Sequence, residues 1–359
     1  MGVLRFILAL VVVIAHCTPI FGCRSVGSAV AVESFFIISG FYMSLVLNEK
    51  YVNENNSFRL FISNRLLRLF PVYWCVLVLV ILFSLSKGIY SGGSNWGSLS
   101  SLNAHFTNMG ADSIFLVLFS NIFIFFQDVM MFLGLGENGH VFFSSNFETT
   151  ATPMYAFLLI PQAWTLGVEL LFYMVAPFIV RKKLWLILLL ILCSVLLRYI
   201  LYQHGLKHEP WTYRFFPAEL VFFMLGYLSY SIYKKIREKK IKPVYYNLLW
   251  IFMIAFTLFY SEVSFTQKEN LYFLFFFLAL PFIFHHTKNI KMDRYIGELS
   301  YPIYISHFFI LNLLTAFNIT LPGGLGLTLS VFTILFSILL NEFVAKRIEK
   351  KRQNRLLPA

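Results

Sequence analysis

Charged residues are scarce in this sequence, whereas apolar residues are abundant. Only 13% of the 359 residues are charged, and 58% are hydrophobic. A soluble domain of this length needs polar residues to cover its core, and most segments here have none. Long apolar runs with few charges are typical of membrane spans. The composition therefore excludes a soluble enzyme and predicts an all-α integral membrane protein.

Cysteine is also sparse, and its placement argues against a metal site. The four cysteines lie in or beside apolar segments, and their spacing is not that of metal ligands. We therefore expect buried thiols and no metal. The first apolar run has no A-x-A end, which favours an uncleaved first span over a signal peptide.

Apolar segments long enough to cross a membrane occur ten times. They predict ten transmembrane helices in a bundle that encloses a central channel, within a single domain over residues 1–345. Residues 87–162 are expected to be mainly an extracytoplasmic loop region. The predicted spans are 3–20, 29–47, 68–86, 163–180, 184–201, 215–233, 244–260, 270–286, 299–317 and 323–345.

Lysine and arginine are distributed unevenly between these spans. Most of the 29 basic residues follow the even-numbered spans, as in RKK at 181–183 and KKIREKKIK at 234–242. Basic loops favour the cytoplasmic side, so both termini are expected there, with 346–359 as a basic tail. Membrane lipids explain the net charge of +12 better than nucleic acid does, and we expect no nucleic-acid partner.

The segment 112–126, DSIFLVLFSNIFIFF, does not fit this pattern. If it crossed the membrane alone, the basic RKK loop would face outside. We therefore predict a re-entrant or surface-lying helix that covers an outer vestibule. A crossing paired with a short return near 150–161 is the alternative.

Ionisable side chains interrupt several of the apolar spans. A charge near the middle of a bilayer costs several kcal/mol, so each such residue is a functional hypothesis. Counted at 1.5 Å per residue, four of them share the outer third of the membrane, and a fifth enters from the inner side. Each also has a structural alternative, as an interhelical strut or a snorkelling group. Arg198, outside this set, is interpreted as a snorkelling group or as a partner of Glu219. The five are His16, Glu33, Glu169, Glu219 and His307.

Polar residues at helical spacing predict that these side chains face a shared cavity. Arg5 and His16 are eleven residues apart and lie on one face of the first span. In the second span, Gly40 allows a neighbouring helix to approach closely. Further polar stripes are Thr165, Glu169 and Tyr173 in the fourth span, and Ser300, Tyr304 and His307 in the ninth.

A histidine and a carboxylate in one apolar layer indicate acid–base chemistry. A neutral imidazole is a competent general base near neutral pH, and a neighbouring carboxylate fixes its tautomer. The sequence offers no obvious enzyme nucleophile, so a substrate hydroxyl could supply it. Arg5, Arg65 and Arg68 form a basic cluster suited to phosphate or pyrophosphate groups, unless they are ordinary positive-inside residues.

Six motifs in order resemble the acyltransferase 3 family of membrane-bound acyltransferases. This family includes bacterial O-antigen and exopolysaccharide O-acetyltransferases. The resemblance extends over most of the chain. The matching segments are LRFILALVVVIAH, VESFFIISGF, NRLLRLFPVYW, AWTLGVELLFY, RFFPAELVFFMLGYL and GELSYPIYISH.

The resemblance implies transfer of an acyl group, usually acetyl, from cytoplasmic acyl-CoA to a hydroxyl of a lipid-linked or surface glycan. It implies a bacterial inner-membrane location, His16 as the catalytic residue, and Arg5, Arg65 and Arg68 as holders of CoA. From the polar stripes we predict that Glu33 and Glu169 assist His16. The acceptor is expected to contact His307, Tyr304, Arg214 and Glu219.

Two questions of mechanism and class stay open in the sequence. His16 could deprotonate the acceptor hydroxyl for direct attack, which we favour, or it could carry the acyl group itself. The alternative class is a polytopic transporter or flippase for a glycan or an acyl donor. Paired, broken half-helices typical of transporters are not evident in the sequence.

Overall fold

The computed structural model describes residues 1–20, 22, 24–51, 58–239 and 242–355, and this part of the chain is dominated by helices. Its strands, β1 (Leu133–Leu135) and β2 (Val141–Phe143), form an antiparallel hairpin. The helices are α1 (Gly2–Ala15), α2 (Gly27–Glu49), α3 (Phe58–Tyr90), α4 (Ser100–His105), α5 (Ala111–Phe123), α6 (Trp164–Ile179), α7 (Leu184–Gln203), α8 (Phe216–Ile236), α9 (Pro243–Leu258), α10 (Lys268–Thr287), α11 (Lys291–Glu298), α12 (Ser300–Ala316), α13 (Leu325–Leu340) and α14 (Lys346–Asn354).

Each of the ten predicted spans coincides with a helix, and the chain is an all-α membrane protein. α8 has 21 residues but is less apolar, because Glu219, serines and tyrosines interrupt it. α1, α5 and α9 are shorter apolar helices. Seven helical stretches among the described residues are long and apolar enough to cross a membrane: Gly27–Glu49, Phe58–Tyr90, Pro161–Ile179, Leu184–Gln203, Lys268–Thr287, Lys291–Ala316 and Leu325–Asn354.

The first helix is shorter than the sequence indicates. α1 packs against α2, α11, α12 and α13, and it has fourteen residues. It ends at Ala15, so the predicted span 3–20 is too long, and His16 caps the helix instead of standing inside it. Pro19 is consistent with the early end, because in a continued helix it would offer no N–H to the Ala15 carbonyl and its ring would clash with that carbonyl.

A carboxylate anchors the start of α1. Asp293 of α11 accepts hydrogen bonds from the backbone N–H groups of Gly2, at 2.7 Å, and Val3, at 3.0 Å. A negative charge at a helix N-terminus satisfies free N–H groups and complements the helix dipole. The amphipathic helix α11 therefore fixes the depth at which α1 begins.

Two glycines bring α2 and α8 into close contact. A Cβ on Gly40 would lie 2.0 Å from the carbonyl oxygen of Phe223, and one on Gly226 would lie 2.1 Å from that of Ile37. Small residues allow such close crossings within membranes. The close approach expected at Gly40 is therefore confirmed, and it aligns the polar residues of α2 with those of α8.

Most of the segment 112–126 lies in α5, whose thirteen residues extend about 20 Å, less than the roughly 30 Å of the hydrocarbon layer. The Trp74 indole donates to the carbonyl of Ile122 at 2.8 Å, so α5 lies against α3. The proposed return near 150–161 holds only short 3-10 turns, among them Met154–Phe157. This arrangement fits a re-entrant or surface-lying helix better than a paired crossing.

The C-terminal helix turns back onto α3. After a π-helical turn at Asn341–Ala345, α14 contacts α3. Arg355 donates to the Asn64 side chain at 3.1 Å and to the Ser63 hydroxyl at 3.0 Å. The expected basic tail is therefore packed on the bundle as far as Arg355, and residues 356–359 lie outside the described residues.

Candidate active site

A cavity with charged walls opens among five helices, α1, α2, α3, α6 and α12. We call it the charged cavity. The cavity and its mouth enclose about 760 Å³, which includes the solvent space at the opening. Its lining includes three charged side chains, and the rest is hydroxylic, aromatic or aliphatic: Arg5, Val32, Phe35, Phe36, Ile38, Ser39, Tyr42, Met43, Arg68, Leu69, Thr165, Leu166, Glu169, Tyr173, Ser300, Tyr301 and Tyr304.

The charges in this cavity favour an anionic ligand. Arg5 and Arg68 supply two guanidinium groups, and Glu169 supplies one carboxylate. The carboxylate accepts hydrogen bonds from the hydroxyls of Ser39, at 2.7 Å, and Tyr173. Because the cations exceed the anions, phosphate or another anion is favoured here over a cation.

The third predicted CoA-binding residue lies beside the cavity. Arg65 is three residues before Arg68 on α3, so the two share a helix face, but Arg65 does not line the cavity. It is only 4% exposed, and its Nε has no hydrogen-bond partner. The structure thus brings two of the three predicted arginines to the cavity and leaves the third with an unused donor nearby.

Two histidines meet where α1 ends. The ring centroids of His16 and His307 are 5.2 Å apart, and both rings contact Phe308. His16 is exposed, whereas His307 is fully buried. Neither lines the charged cavity, but Tyr304 does, and its ring centroid is 6.0 Å from that of His307. The histidine pair therefore adjoins the cavity wall through Tyr304.

Main-chain carbonyls fix the tautomers of both histidines. Nδ1 of His16 lies 2.8 Å from the oxygen of Val12, and Nδ1 of His307 lies 2.7 Å from that of Tyr304. A carbonyl can only accept, so each neutral ring carries its proton on Nδ1 and presents a lone pair on Nε2. Nε2 of the buried His307 has no partner. Each ring is thus a proton acceptor at Nε2.

The expected carboxylate partners of His16 lie elsewhere, and that pairing is wrong. Glu33 pairs with Arg198 at 3.1 Å, and Glu169 bonds to hydroxyls in the charged cavity. Depth along a span places a residue in a layer but does not say which neighbour it faces. A backbone carbonyl orients His16 instead, as local carbonyls often do for histidines.

A second charged cluster joins α2, α7 and α8. Arg198 donates to Glu219 at 2.6 Å and to Glu33 at 3.1 Å, and its Nε donates to the Ala218 carbonyl at 2.8 Å. The pairing of Arg198 with Glu219 expected from the sequence is therefore confirmed. Both carboxylates are buried and depend on this one guanidinium, so the cluster ties three helices together.

Two predicted acceptor-binding residues have structural partners of their own. Arg214 pairs with Glu209 at 2.6 Å and stacks on Trp164, with its Cζ 4.3 Å from the ring centroid. Tyr304 donates to the Gln162 carbonyl at 3.0 Å and accepts from Thr165 at 2.9 Å. Of the predicted acceptor-binding set, Tyr304 reaches the charged cavity and His307 adjoins it, whereas Arg214 and Glu219 do not line it.

Sequence reasoning missed Gln162, which precedes α6 at a 3-10 turn. Its amide Nε2 donates to the Ile305 carbonyl at 2.8 Å, while its buried Oε1 has no partner. No charge or helical stripe marks this residue in the sequence. Only the packing of its turn against α12 shows that it is an unsatisfied acceptor close to the histidine pair.

These features define a multi-pass membrane protein with an internal polar cavity and a histidine pair that adjoins its wall through Tyr304. The acyltransferase 3 family model, described as an acyltransferase domain, matches residues 1–342, nearly the whole chain. The protein belongs to this family and is a membrane acyltransferase. An uncharacterized protein of Aquifex aeolicus (strain VF5) is 24% identical over 218 residues, which cover 57% of this chain and 94% of that one. No solved structure matches the chain.

Proposed function

We propose that the protein transfers an acyl group, acetyl in the first instance, from acyl-CoA to a hydroxyl of a glycan. The observation that carries this proposal is the placement of Arg5 and His16 on one helix. They are eleven residues, or about 16 Å, apart, with the arginine in the charged cavity and the histidine at the helix end. Phosphates held at one end would leave a flexible thioester arm free to reach the other.

The arginines would bind the nucleotide end of the donor. Arg5 and Arg68 line the cavity, and the unpartnered Nε of buried Arg65 is a further donor close by. Guanidinium groups suit phosphate because their N–H groups match its oxygens in pairs. Glu169 is held by Ser39 and Tyr173 and offsets one of the two guanidinium charges. The cavity would keep one net positive charge, which attracts the anionic donor.

The chemical step would use Nε2 of His16 as a general base. Nε2 takes the proton of the acceptor hydroxyl, whose oxygen attacks the thioester carbonyl carbon. The C–S bond then breaks, and the CoA thiolate leaves and receives that proton from the imidazolium. The Val12 carbonyl, which accepts the Nδ1 hydrogen, stabilises the protonated ring. The products are an ester and free CoA.

The sidedness follows from the distribution of basic residues. Lysine and arginine are concentrated in the first turns of α3, directly after α6 and α8, and in α11 and α14, and we propose that these parts face the cytoplasm of a bacterium, with the chain in its inner membrane. CoA would then enter from the basic end, and the glycan would meet His16 near the outer leaflet.

Labelled acetyl-CoA and purified protein in detergent test this proposal. The wild type should release CoA and pass label to a glycan extract from the envelope. His16→Ala should lower the rate by about 10²–10⁴-fold, the usual contribution of a general base. His204→Ala is the matched control, because His204 is an exposed residue at the end of α7.

The same assay separates the two routes and the rival class. Label retained on wild-type protein after acid quench, and absent from His16→Ala, would favour an acyl-histidine over direct attack. Movement of intact acetyl-CoA or glycan across vesicles without CoA release would contradict the proposal and favour a transporter.

A further inference from the structure

A second cavity lies against the later turns of α12. The cavity and its opening to solvent enclose about 550 Å³, bounded by the C-terminal half of α3, the turn at Gly97–Leu99, α4 and the segment 156–162. α12 lines both cavities with successive turns. To the charged cavity it contributes Ser300, Tyr301 and Tyr304. To the second cavity it contributes Ile305, Phe308, Phe309 and Asn312. The two cavities therefore follow one another along the same helix.

The lining of this second cavity carries no charge. Among the described residues, its polar side chains are two hydroxyls and two amides, and the others are aliphatic or aromatic. We call it the neutral cavity. Hydroxyl and amide groups beside aromatic rings suit an uncharged ligand that is rich in hydroxyls, because a buried charge would find no counterion there. The four polar residues are Ser98, Ser101, Gln162 and Asn312.

Gln162 gives the neutral cavity a buried hydrogen-bond acceptor that lacks a donor. It lines the cavity, is 4% exposed, and has an Oε1 without a partner. Its orientation is fixed, because the Ile305 carbonyl can only accept the hydrogen bond from Nε2. A buried acceptor of this kind is unfavourable unless a donor fills it. A ligand hydroxyl is such a donor.

One aromatic ring separates the neutral cavity from the histidine pair. Phe308 lines the cavity, and its ring centroid lies 4.9 Å from that of His16 and 4.7 Å from that of His307. A ring bound in this cavity could therefore bring one hydroxyl past Phe308 to the exposed imidazole. The backbone of Gln162 also accepts hydrogen bonds from Tyr304 and Thr165 of the charged cavity, so this residue touches both compartments.

We propose that the neutral cavity binds the acyl acceptor and selects an uncharged, hydroxyl-rich ring, with Gln162 as a positioning residue. This inference rests on the proposed acyl transfer, but it adds a location for the acceptor and a charge preference. An acceptor whose reacting sugar carries a carboxylate would be excluded, because no described lining residue offers a cation.

The test uses the purified full chain, labelled acetyl-CoA and two acceptors that differ by one carboxylate. These are methyl β-D-galactopyranoside and its 6-carboxylate, the corresponding uronic acid. Gln162→Leu should raise KM for the neutral glycoside about tenfold, the usual effect of one lost hydrogen bond, and leave KM for acetyl-CoA unchanged. Ser101→Trp fills the cavity from the partly exposed helix α4 and should do the same without disturbing the core. Thr315→Val, exposed on α12 outside both cavities, is the control.

The outcomes separate this inference from the proposed function. Failure of the wild type to consume acetyl-CoA would contradict acyl transfer from CoA itself. Consumption of acetyl-CoA with equal use of both glycosides, or with neither used, would overturn the assignment of the neutral cavity. So would unchanged acceptor KM values in both Gln162→Leu and Ser101→Trp. A preference for the neutral glycoside that is lost in both variants would support it.

Discussion

The imidazole rings of His16 and His307 lie 5.2 Å apart between centroids, although 290 residues separate them in the chain. One ring is exposed and the other fully buried, and both present Nε2 as a free acceptor. This contact couples the first helix to α12, and α12 lines both cavities. The pair therefore lies between the two cavities, where the proposed function has donor and acceptor meet.

The variant His307→Asn distinguishes the roles of the two ring nitrogens of His307. The asparagine amide can keep the donation to the Tyr304 carbonyl that Nδ1 now makes, but it has nothing at the position of Nε2. If Nε2 of His307 supports the reaction, kcat should fall about tenfold or more with little change in thermal stability. His204→Asn is the control, and steady-state CoA release is the measurement. A drop in stability with unchanged kcat would assign His307 a structural role.

Arg68→Ala should weaken binding of the donor. Removing a charged hydrogen-bond donor from a phosphate is expected to raise KM for acetyl-CoA about 10–100-fold, because such bonds contribute about 1.5–3 kcal/mol. KM for acetyl-pantetheine, which lacks the nucleotide, should not change. Arg59→Ala is a matched control, since Arg59 is exposed near the start of the same helix. Equal effects on both donors would show that Arg68 does not contact the nucleotide.

Removal of Arg198 should destabilise the fold. Arg198→Met leaves the buried carboxylates of Glu33 and Glu219 without their shared cation, which costs about 3 kcal/mol in such clusters. The triple variant that also carries Glu33→Gln and Glu219→Gln should recover most of this loss, because no uncompensated charge remains. Thermal unfolding in detergent measures both effects. If the triple variant is no more stable than the single one, the cluster does not act through charge.

Gly40→Leu should prevent close packing of α2 on α8. The new side chain would begin 2.0 Å from the Phe223 carbonyl oxygen, so the helices must separate, at a cost of about 1–3 kcal/mol or more. Ser86→Leu introduces the same side chain at an exposed site on α3. The midpoint of thermal unfolding should fall for the first variant and stay near the wild-type value for the second.

Hydropathy predicted the helices better than it predicted their contacts. Each expected span coincides with a helix, because twenty apolar residues have few other stable arrangements in lipid. The Arg198–Glu219 pair was also predictable, since Arg198 lies near the end of α7 and Glu219 lies in the first turn of α8, the next helix along the chain. The error in the length of α1 arose because hydropathy does not register the effect of Pro19 on the backbone.

The site itself could be predicted only in part. The family motifs and polar stripes indicated Arg5 and Glu169, which line the charged cavity, and His16, whose catalytic role stays a prediction. They did not indicate that Glu33 faces Arg198. Which neighbour a side chain faces depends on helix rotation and packing, and these are set by contacts distant in sequence. The neutral cavity left no signal, because uncharged residues such as Gln162 and Asn312 are ordinary in loops and helix ends.

The shortness of α1 determines where an acceptor must travel. Fourteen helical residues rise about 21 Å from the Asp293 anchor, whereas the hydrocarbon layer is about 30 Å thick. If α1 begins at the membrane surface, as the proposed topology has it, His16 lies below the level at which a full-length span would end, and yet it is exposed. Under the proposed acyl transfer, the middle units of a bulky folded polymer would not enter such a depression. Chain ends, or sugars still attached to a lipid carrier at that depth, would be the acceptors that the proposal favours.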